Sequence, residues 1–299
     1  MTLTGARAEA LRAAGLDPAY VEEVVRRALD EDLGDGLDVT SVATVPFDAE
    51  GTGDFVVRGE GVVAGLPVVV AVLEIASDDS VLVTQHVQDG DPVRPGQVLL
   101  SATALTRALL TAERTALNLL CHLSGIASLT RRWVEAVEGT TATILDTRKT
   151  TPGLRALEKY AVRCGGGANK RMGLYDAALV KDNHVIAAGG VGAAFAAVRA
   201  NFPDVDVQVE CDTVGQVREA LDAGATFLLC DNMGVDALRE AVAAAAGRAQ
   251  IEATGGLTLD CARAVAETGV DYLSVGALTH SAPVLDIGLD LHDTAPGSD

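Results

Sequence analysis

Only four side chains of this 299-residue chain are lysine, and all four fall between Asp146 and His184: Lys149, Lys159, Lys170 and Lys181. Arg148, Arg155, Arg163 and Arg171 share the stretch, opposed by Asp146, Glu158, Asp176 and Asp182. Eight cations against four acids leave a local charge of +4 in a chain of formal net charge -19. An acidic protein that gathers its cations in this way is building a site for a small anion. It is not a nucleic-acid binder, because the remaining surface repels a phosphate polymer.

Part of the cluster has a plainer reading. A helix from Gly153 to Arg163 sets Arg155, Lys159 and Arg163 at i, i+4 and i+8, in one solvated row. The other cations differ in context. Arg148 and Lys149 follow the apolar run TATILD, Lys181 ends the run AALV, and Lys170-Arg171 come after Gly165-Gly166-Gly167. Cations at strand ends and on glycine loops are placed to hold a ligand.

Elements that position them can be read from the pattern. Asp17-Pro18 starts a helix, with Val21, Val24, Val25, Ala28 and Leu29 as its apolar stripe. From Phe47 to Ser101 strands dominate, in DFVVRGEGVVAG, SVLVTQHV and DGDPVRPGQVLL, with a helix at LPVVVAVLEIAS. The last of these strands resembles the turn of biotinyl and lipoyl carrier domains. Such a domain needs a lysine at its tip and none precedes Lys149, so an ordinary hairpin is expected. Leu105 to Val137 is helical, and Ser124-Gly125 is expected to divide it into two helices. Arg114, beside Glu113 in that stretch, reads as an exposed surface arginine.

Beyond Thr140 the chain becomes repetitive. The short runs TATILD, AALVKD, VDVQVECD, TFLLCDN, QIEATGG and YLSVGA alternate with amphipathic helices, and Gly224 and Gly269 stand at helix ends. Glu210, Asp231, Thr254 and Gly276 follow one another at intervals of 21, 23 and 22 residues. One strand, one helix and two loops make a unit of that size. Six such strands predict a closed or nearly closed parallel barrel, whose ligands bind at the carboxyl ends of the strands. Those ends carry Asp146 with Arg148 and Lys149, then Lys181, Glu210, Asp231, Thr254-Gly255-Gly256 and Gly276. The cations can hold a polyanion. Glu210 and Asp231 can hold magnesium directly or through water. The two glycine loops can bind phosphate through backbone N–H groups. Together they describe a site for a magnesium-bound phosphorylated sugar and a second anionic substrate.

Composition narrows the setting. Aromatic residues make up 3% and apolar residues 48%, so the core must be Val, Leu, Ile and Ala, which suits a parallel sheet under helices. The five cysteines include no CxxC pair and the five histidines no HxH or HxxxH spacing. Neither a disulfide framework nor a thiolate or histidine metal site is expected, and Cys211 and Cys230 read as small buried residues. MTLTGARAEALRAAG lacks an apolar signal core and no run is long enough to span a membrane, so the cytoplasm is the expected location.

The motifs EDLGDGLDVTS, AERTALNLLCHLSGIAS, DTRKTTPGLRALEKYAVRCGGG, KDNH, VECDT, CDNM, EATGGL and VGALTHS closely resemble those of the quinolinate phosphoribosyltransferases, also called nicotinate-nucleotide pyrophosphorylases (carboxylating). The resemblance covers essentially the whole chain. It implies an α/β protein, with an N-terminal α/β sandwich over 1–116, an incomplete TIM-like barrel over 117–280, and a tail over 281–299 that rejoins the first domain. It implies reaction of quinolinate with phosphoribosyl pyrophosphate and magnesium, in a homodimer with shared active sites. Arg148, Lys170, Arg171 and Lys181 would bind quinolinate, with Arg114 reaching in from the partner subunit. Lys149 would contact the phosphoribosyl substrate, and Glu210 and Asp231 the metal and ribose; these three form the expected catalytic set. Thr254, Gly255, Gly276 and His280 would line the 5′-phosphate pocket. Two positions depart from the family pattern. Lys170 stands where histidine is usual, and Thr254 replaces a serine. A paralogous protein associated with molybdenum transport, or a non-catalytic barrel that binds phosphate metabolites, would share the fold. The intact set Arg148, Lys149, Arg171, Lys181, Glu210 and Asp231 argues against both.

Overall fold

The computed structural model describes residues 3, 5–78 and 80–292. The chain forms two compact units. One comprises Met1–Leu129, Thr151–Gly166 and Ala282–Asp299; the other comprises Thr130–Thr150 and Gly167–Ser281. Residues 117–129 and 151–166, assigned to the barrel on sequence grounds, thus lie in the first unit.

In the first unit, α1 (Gly5–Ala13), α2 (Pro18–Leu33) and α3 (Val39–Thr44) precede β1 (Glu50–Val57), β2 (Gly61–Val62) and α4 (Leu66–Ala76). Next come β3 (Leu82–Gln85), β4 (Pro92–Val93), β5 (Val98–Leu105) and α5 (Thr106–Ala136), which belongs to this unit up to Leu129. Asp17 caps α2 by accepting from the Ala19 N–H, and Val21, Val25 and Leu29 form the buried stripe. An antiparallel sheet has the order β12-β1-β5-β3, where β12 (Ile287–His292) comes from the tail and pairs with β1. Helix α4 is buried from Val68 to Glu74, and Asp89 accepts from the Gly65 and Leu66 N–H groups at its start.

Two expectations fail in this unit. The chain does not break at Ser124-Gly125, since α5 is one helix of 31 residues. The pair serves packing instead. Ser124 Oγ bonds both the N–H and the carbonyl of Ala64. A Cβ on Gly125 would sit 2.2 Å from the Pro283 carbonyl oxygen, so glycine admits the returning tail. Helix α6 (Arg155–Cys164) does not present its three cations in one solvated row. Arg163 is exposed, but Lys159 is fully buried, as are Leu157, Glu158, Tyr160, Ala161 and Val162. Glu158 accepts from the Thr151 N–H at 3.1 Å and lies 2.9 Å from His122 Nε2. Spacing alone could not reveal that this helix is enclosed on more than one face.

The second unit is a parallel sheet of six strands, in the order β6-β11-β10-β9-β8-β7. These are β6 (Thr143–Leu145), β7 (Ala178–Val180), β8 (Val207–Cys211), β9 (Phe227–Asp231), β10 (Gln250–Thr254) and β11 (Tyr272–Ser274). Helices α7 (Asp182–Ala188), α8 (Val191–Asn201), α9 (Val214–Asp222), α10 (Val235–Ala245), α11 (Leu259–Ala266) and α12 (Ala277–His280) connect and follow them. Gly224 and Gly269 have φ of +88° and +91°, as helix-ending glycines require. Among the described residues no ladder joins β6 to β7, so the barrel is incomplete. Alternation sorts the side chains. Val209, Cys211, Leu228, Cys230, Ile251, Ala253 and Leu273 are buried. The intervening Glu210, Leu229, Asp231, Glu252, Thr254 and Ser274 line a cavity.

Candidate active site

That cavity measures about 550 Å³ and lies at the carboxyl ends of the strands. Five cations line it: Arg148, Lys149, Lys170, Arg171 and Lys181. So do Glu210, Asp231, Thr254, Gly255, Gly276 and His280, which brings every sequence-derived site residue except Arg114 to one place. Arg114 is exposed on α5 in the first unit. Arg155, Lys159 and Arg163 also belong to that unit and are not among the lining residues.

Cations and carboxylates are arranged in local pairs. Lys181 Nζ lies 3.3 Å from Glu210 Oε2, with the lysine about half exposed. Such a pair is weak enough for an incoming anion to exchange partners. Arg171 Nη1 donates to the Ala177 carbonyl at 2.7 Å. Burial, and then the neighbouring Arg148 guanidinium, hold the Arg171 pKa below its ordinary value. Two guanidiniums close enough to oppose each other's charge form a receptor for a dicarboxylate, since each can grip a carboxylate with two N–H donors.

Backbone geometry fixes the other wall. Gly255 has φ of +83°, and a Cβ there would lie 2.4 Å from Asn232 Oδ1 and 2.7 Å from Asp231 Oδ1. Asn232 Nδ2 donates to Asp231 Oδ2 at 2.7 Å, and the Asn232 N–H donates to the Thr254 carbonyl. The carboxylate ending β9 is thereby locked against the loop after β10. A Cβ on Gly276 would meet Lys149 Cδ at 3.1 Å and His280 Nε2 at 3.2 Å, so these two side chains flank the glycine. Thr279 Oγ1 donates to the Lys149 carbonyl, and Thr254 Oγ1 to that of Ser274.

Sequence reasoning missed four contributors. Glu252 and Ser274 line the cavity, two residues before Thr254 and Gly276. Period-two alternation along β10 and β11 was the signal that could have found them. Ser274 Oγ is buried without a hydrogen-bond partner among the described residues, which suits it to a bound substrate. Gln208 donates to Glu252 Oε2 at 2.6 Å, and Asn232 holds Asp231. Cys211 and Cys230 are buried as expected, and burial pushes both thiols up to about 12, leaving them inert at neutral pH.

An incomplete barrel with a polycationic cavity at its strand ends, carboxylates on adjacent strands and two glycine loops defines a class of enzyme that handles phosphorylated, anionic substrates. The comparisons narrow the class. The family model "Quinolinate phosphoribosyl transferase, N-terminal domain" matches residues 38–124, and "Quinolinate phosphoribosyl transferase, C-terminal domain" matches residues 126–290. A nicotinate-nucleotide pyrophosphorylase [carboxylating] of Mycobacterium leprae is 52% identical, covering 90% of this chain and 96% of its own. A mitochondrial quinolinate phosphoribosyltransferase [decarboxylating] of Nicotiana tabacum is 40% identical over 92% and 83% of the two chains. The crystal structure of NadC from Streptococcus pyogenes is 38% identical, superposes with a TM-score of 0.88, and covers 93% of this chain and 99% of that one. The chain belongs to the quinolinate phosphoribosyltransferase family. Among the described residues, no helix is long and apolar enough to cross a membrane.

Proposed function

We propose that the protein transfers the phosphoribosyl group of phosphoribosyl pyrophosphate to quinolinate and releases nicotinate mononucleotide, pyrophosphate and carbon dioxide, a step of NAD biosynthesis. One observation carries this reading beyond family membership. The cations for a dicarboxylate, the carboxylates for a ribose and its metal, and the glycine loops for a phosphate line one cavity.

Arg148, Arg171 and Lys181 hold the two quinolinate carboxylates, with Arg114 from a second copy of the chain completing the grip. Thr254, Gly255, Gly276 and His280 receive the 5′-phosphate, and Lys149 faces the pyrophosphate. The pyridine nitrogen forms a bond to the anomeric carbon as the bond from that carbon to pyrophosphate breaks. Positive charge develops on the ribose in between, and Glu210 and Asp231 stabilise it. The bond from C2 to its carboxylate then breaks. Carbon dioxide leaves, and the electron pair left on C2 takes a proton. No protein nucleophile is needed.

Glu210, one residue before the end of β8, and Asp231, the last of the adjacent β9, are the residues that would hold magnesium. Among the described residues no three His, Cys, Asp or Glu side chains cluster as a metal cage. A pair of carboxylates completed by phosphate oxygens and water is the arrangement magnesium prefers. Held by these two residues, magnesium would supply charge neutralisation for the leaving pyrophosphate. The protein acts in the cytoplasm as a homodimer.

The deciding assay combines purified protein, quinolinate, phosphoribosyl pyrophosphate and magnesium. Quinolinate disappears and nicotinate mononucleotide forms in equal amount, while nicotinate in place of quinolinate gives no product. No loss of quinolinate would overturn the reading. A second expectation concerns Gly255→Ala. Strain at positive φ costs about 1–2 kcal/mol, and the new methyl group pushes Asp231 and Asn232 aside. Activity falls about 100-fold, the scale of a 1 Å misplacement, in a protein that still folds. Unchanged kcat/KM for phosphoribosyl pyrophosphate would show that the loop does not set the Asp231 position.

A further inference from the structure

Residues 168–171 fill the opening that the incomplete barrel leaves between its edge strands. Ala168 bridges Leu145 at the end of β6, its N–H donating to the Ile144 carbonyl at 2.9 Å and its carbonyl accepting from the Asp146 N–H at 3.2 Å. The buried Asp146 grips the next two residues, accepting from Asn169 Nδ2 at 2.6 Å and from the Lys170 N–H at 2.9 Å. On the other side Arg171 reaches the Ala177 carbonyl, just ahead of β7. The segment is thus bridged to β6 on one side and tied by a side chain to the residues ahead of β7 on the other, and Arg171 enters the cavity from it.

The side chain of Lys170 ties this segment across the interior. Its ammonium donates to Glu252 Oε1 on β10, and Gln208 on β8 donates to Glu252 Oε2 at 2.6 Å. Glu252 is fully buried and Gln208 nearly so. A buried carboxylate that meets an ammonium and an amide is satisfied, and withdrawing either partner leaves a costly unpaired charge or lone pair. The fixed charge of Lys170 is therefore directed at Glu252. Burial holds the Lys170 pKa below its ordinary value, and the Glu252 carboxylate opposes that shift in part.

We infer that Lys170, Glu252 and Gln208 form a brace that positions Arg171 for a substrate carboxylate, and that Lys170 acts through Arg171 rather than on the substrate. This inference rests on the proposed role of Arg171 in quinolinate binding. The Lys170 side chain spans the interior to reach β10. Glu252 and Gln208 become positioning residues for the dicarboxylate.

The test uses the full-length protein and two independent measurements. In ligand-free protein, amide hydrogen exchange over residues 168–173 rises at least tenfold in Glu252→Gln and in Gln208→Leu. In steady-state kinetics, Glu252→Gln raises the KM for quinolinate about tenfold and leaves the KM for phosphoribosyl pyrophosphate within twofold. Adding Glu252→Gln to Arg171→Ala then changes the quinolinate KM by less than twofold, because the group being positioned is already gone. Multiplying effects in the double variant would show that Lys170 meets the substrate by itself and would overturn the inference. Exchange that stays at the wild-type level in both variants would overturn it too, whatever the enzyme turns over. A wild-type protein that leaves quinolinate unconsumed defeats the functional reading separately, and the exchange measurement still decides whether the brace exists.

Discussion

Asp231→Ala loses roughly 100- to 1,000-fold in kcat, the scale of removing one preorganised group that meets developing charge, while its thermal unfolding midpoint stays close to that of the wild type. Both halves of this expectation come from where the side chain sits. Asp231 ends β9, is only partly buried, and is held from the side by Asn232. The backbone of the same residue remains in register with Thr254 whatever its side chain is. Removing the carboxylate therefore leaves the sheet intact and strips the cavity of the group proposed to meet the ribose and its metal. Glu210 is a poorer test of the same idea. Its removal also frees Lys181 from a 3.3 Å ion pair, so binding of the anionic substrate would change along with turnover. The companion measurement is activity in excess chelator, which falls to background and returns on adding magnesium. Full activity with chelator present would remove the metal from the account.

Much of the second unit was legible because its pattern is redundant. Intervals of 21 to 23 residues between Glu210, Asp231, Thr254 and Gly276 can be satisfied by a strand and a helix, and by little else. Residues ending such strands converge because parallel strands end on one side. What stayed hidden were relations between elements remote in sequence. Gly125 is a glycine because Pro283 passes over it, more than 150 residues later. Lys159 lies on a helix whose periodicity suggests an exposed row, yet it is wholly buried, since helical spacing says nothing about what covers a face. The cation cluster from Asp146 to His184 is continuous in sequence but serves two units. Arg155, Lys159 and Arg163 lie in the first, whereas Arg148, Lys149, Lys170, Arg171 and Lys181 line the cavity of the second. Lys170 was read as a cation for the substrate; it lines the cavity, and nothing in the sequence signalled that its ammonium pairs with Glu252, a residue 82 positions away.

Arg114 separates reasoning from exposure and reasoning from family most sharply. It is an exposed arginine on α5, and by exposure alone its removal costs almost nothing. As a quinolinate ligand donated by a second copy of the chain, its removal abolishes activity. The dicarboxylate and the pyrophosphate must share the cations of one cavity, of which Lys170 is already paired with Glu252, so an arginine from a partner would relieve the shortage and close the site to water. Arg114→Ala is expected to fold, dimerise and turn over almost no substrate. Lys181→Ala is expected to do the same, because a half-exposed lysine contributes little to stability. Mixing the two inactive proteins under conditions of subunit exchange then restores activity. In each mixed dimer one site combines an intact Lys181 with an intact Arg114 from the other chain, and the second site lacks both. Random exchange makes half the dimers mixed with one good site in two, so about a quarter of wild-type activity returns if sites are independent in a symmetric dimer. Exchange demonstrated by a mass label with no return of activity would show that Arg114 serves its own subunit or has no part in the reaction.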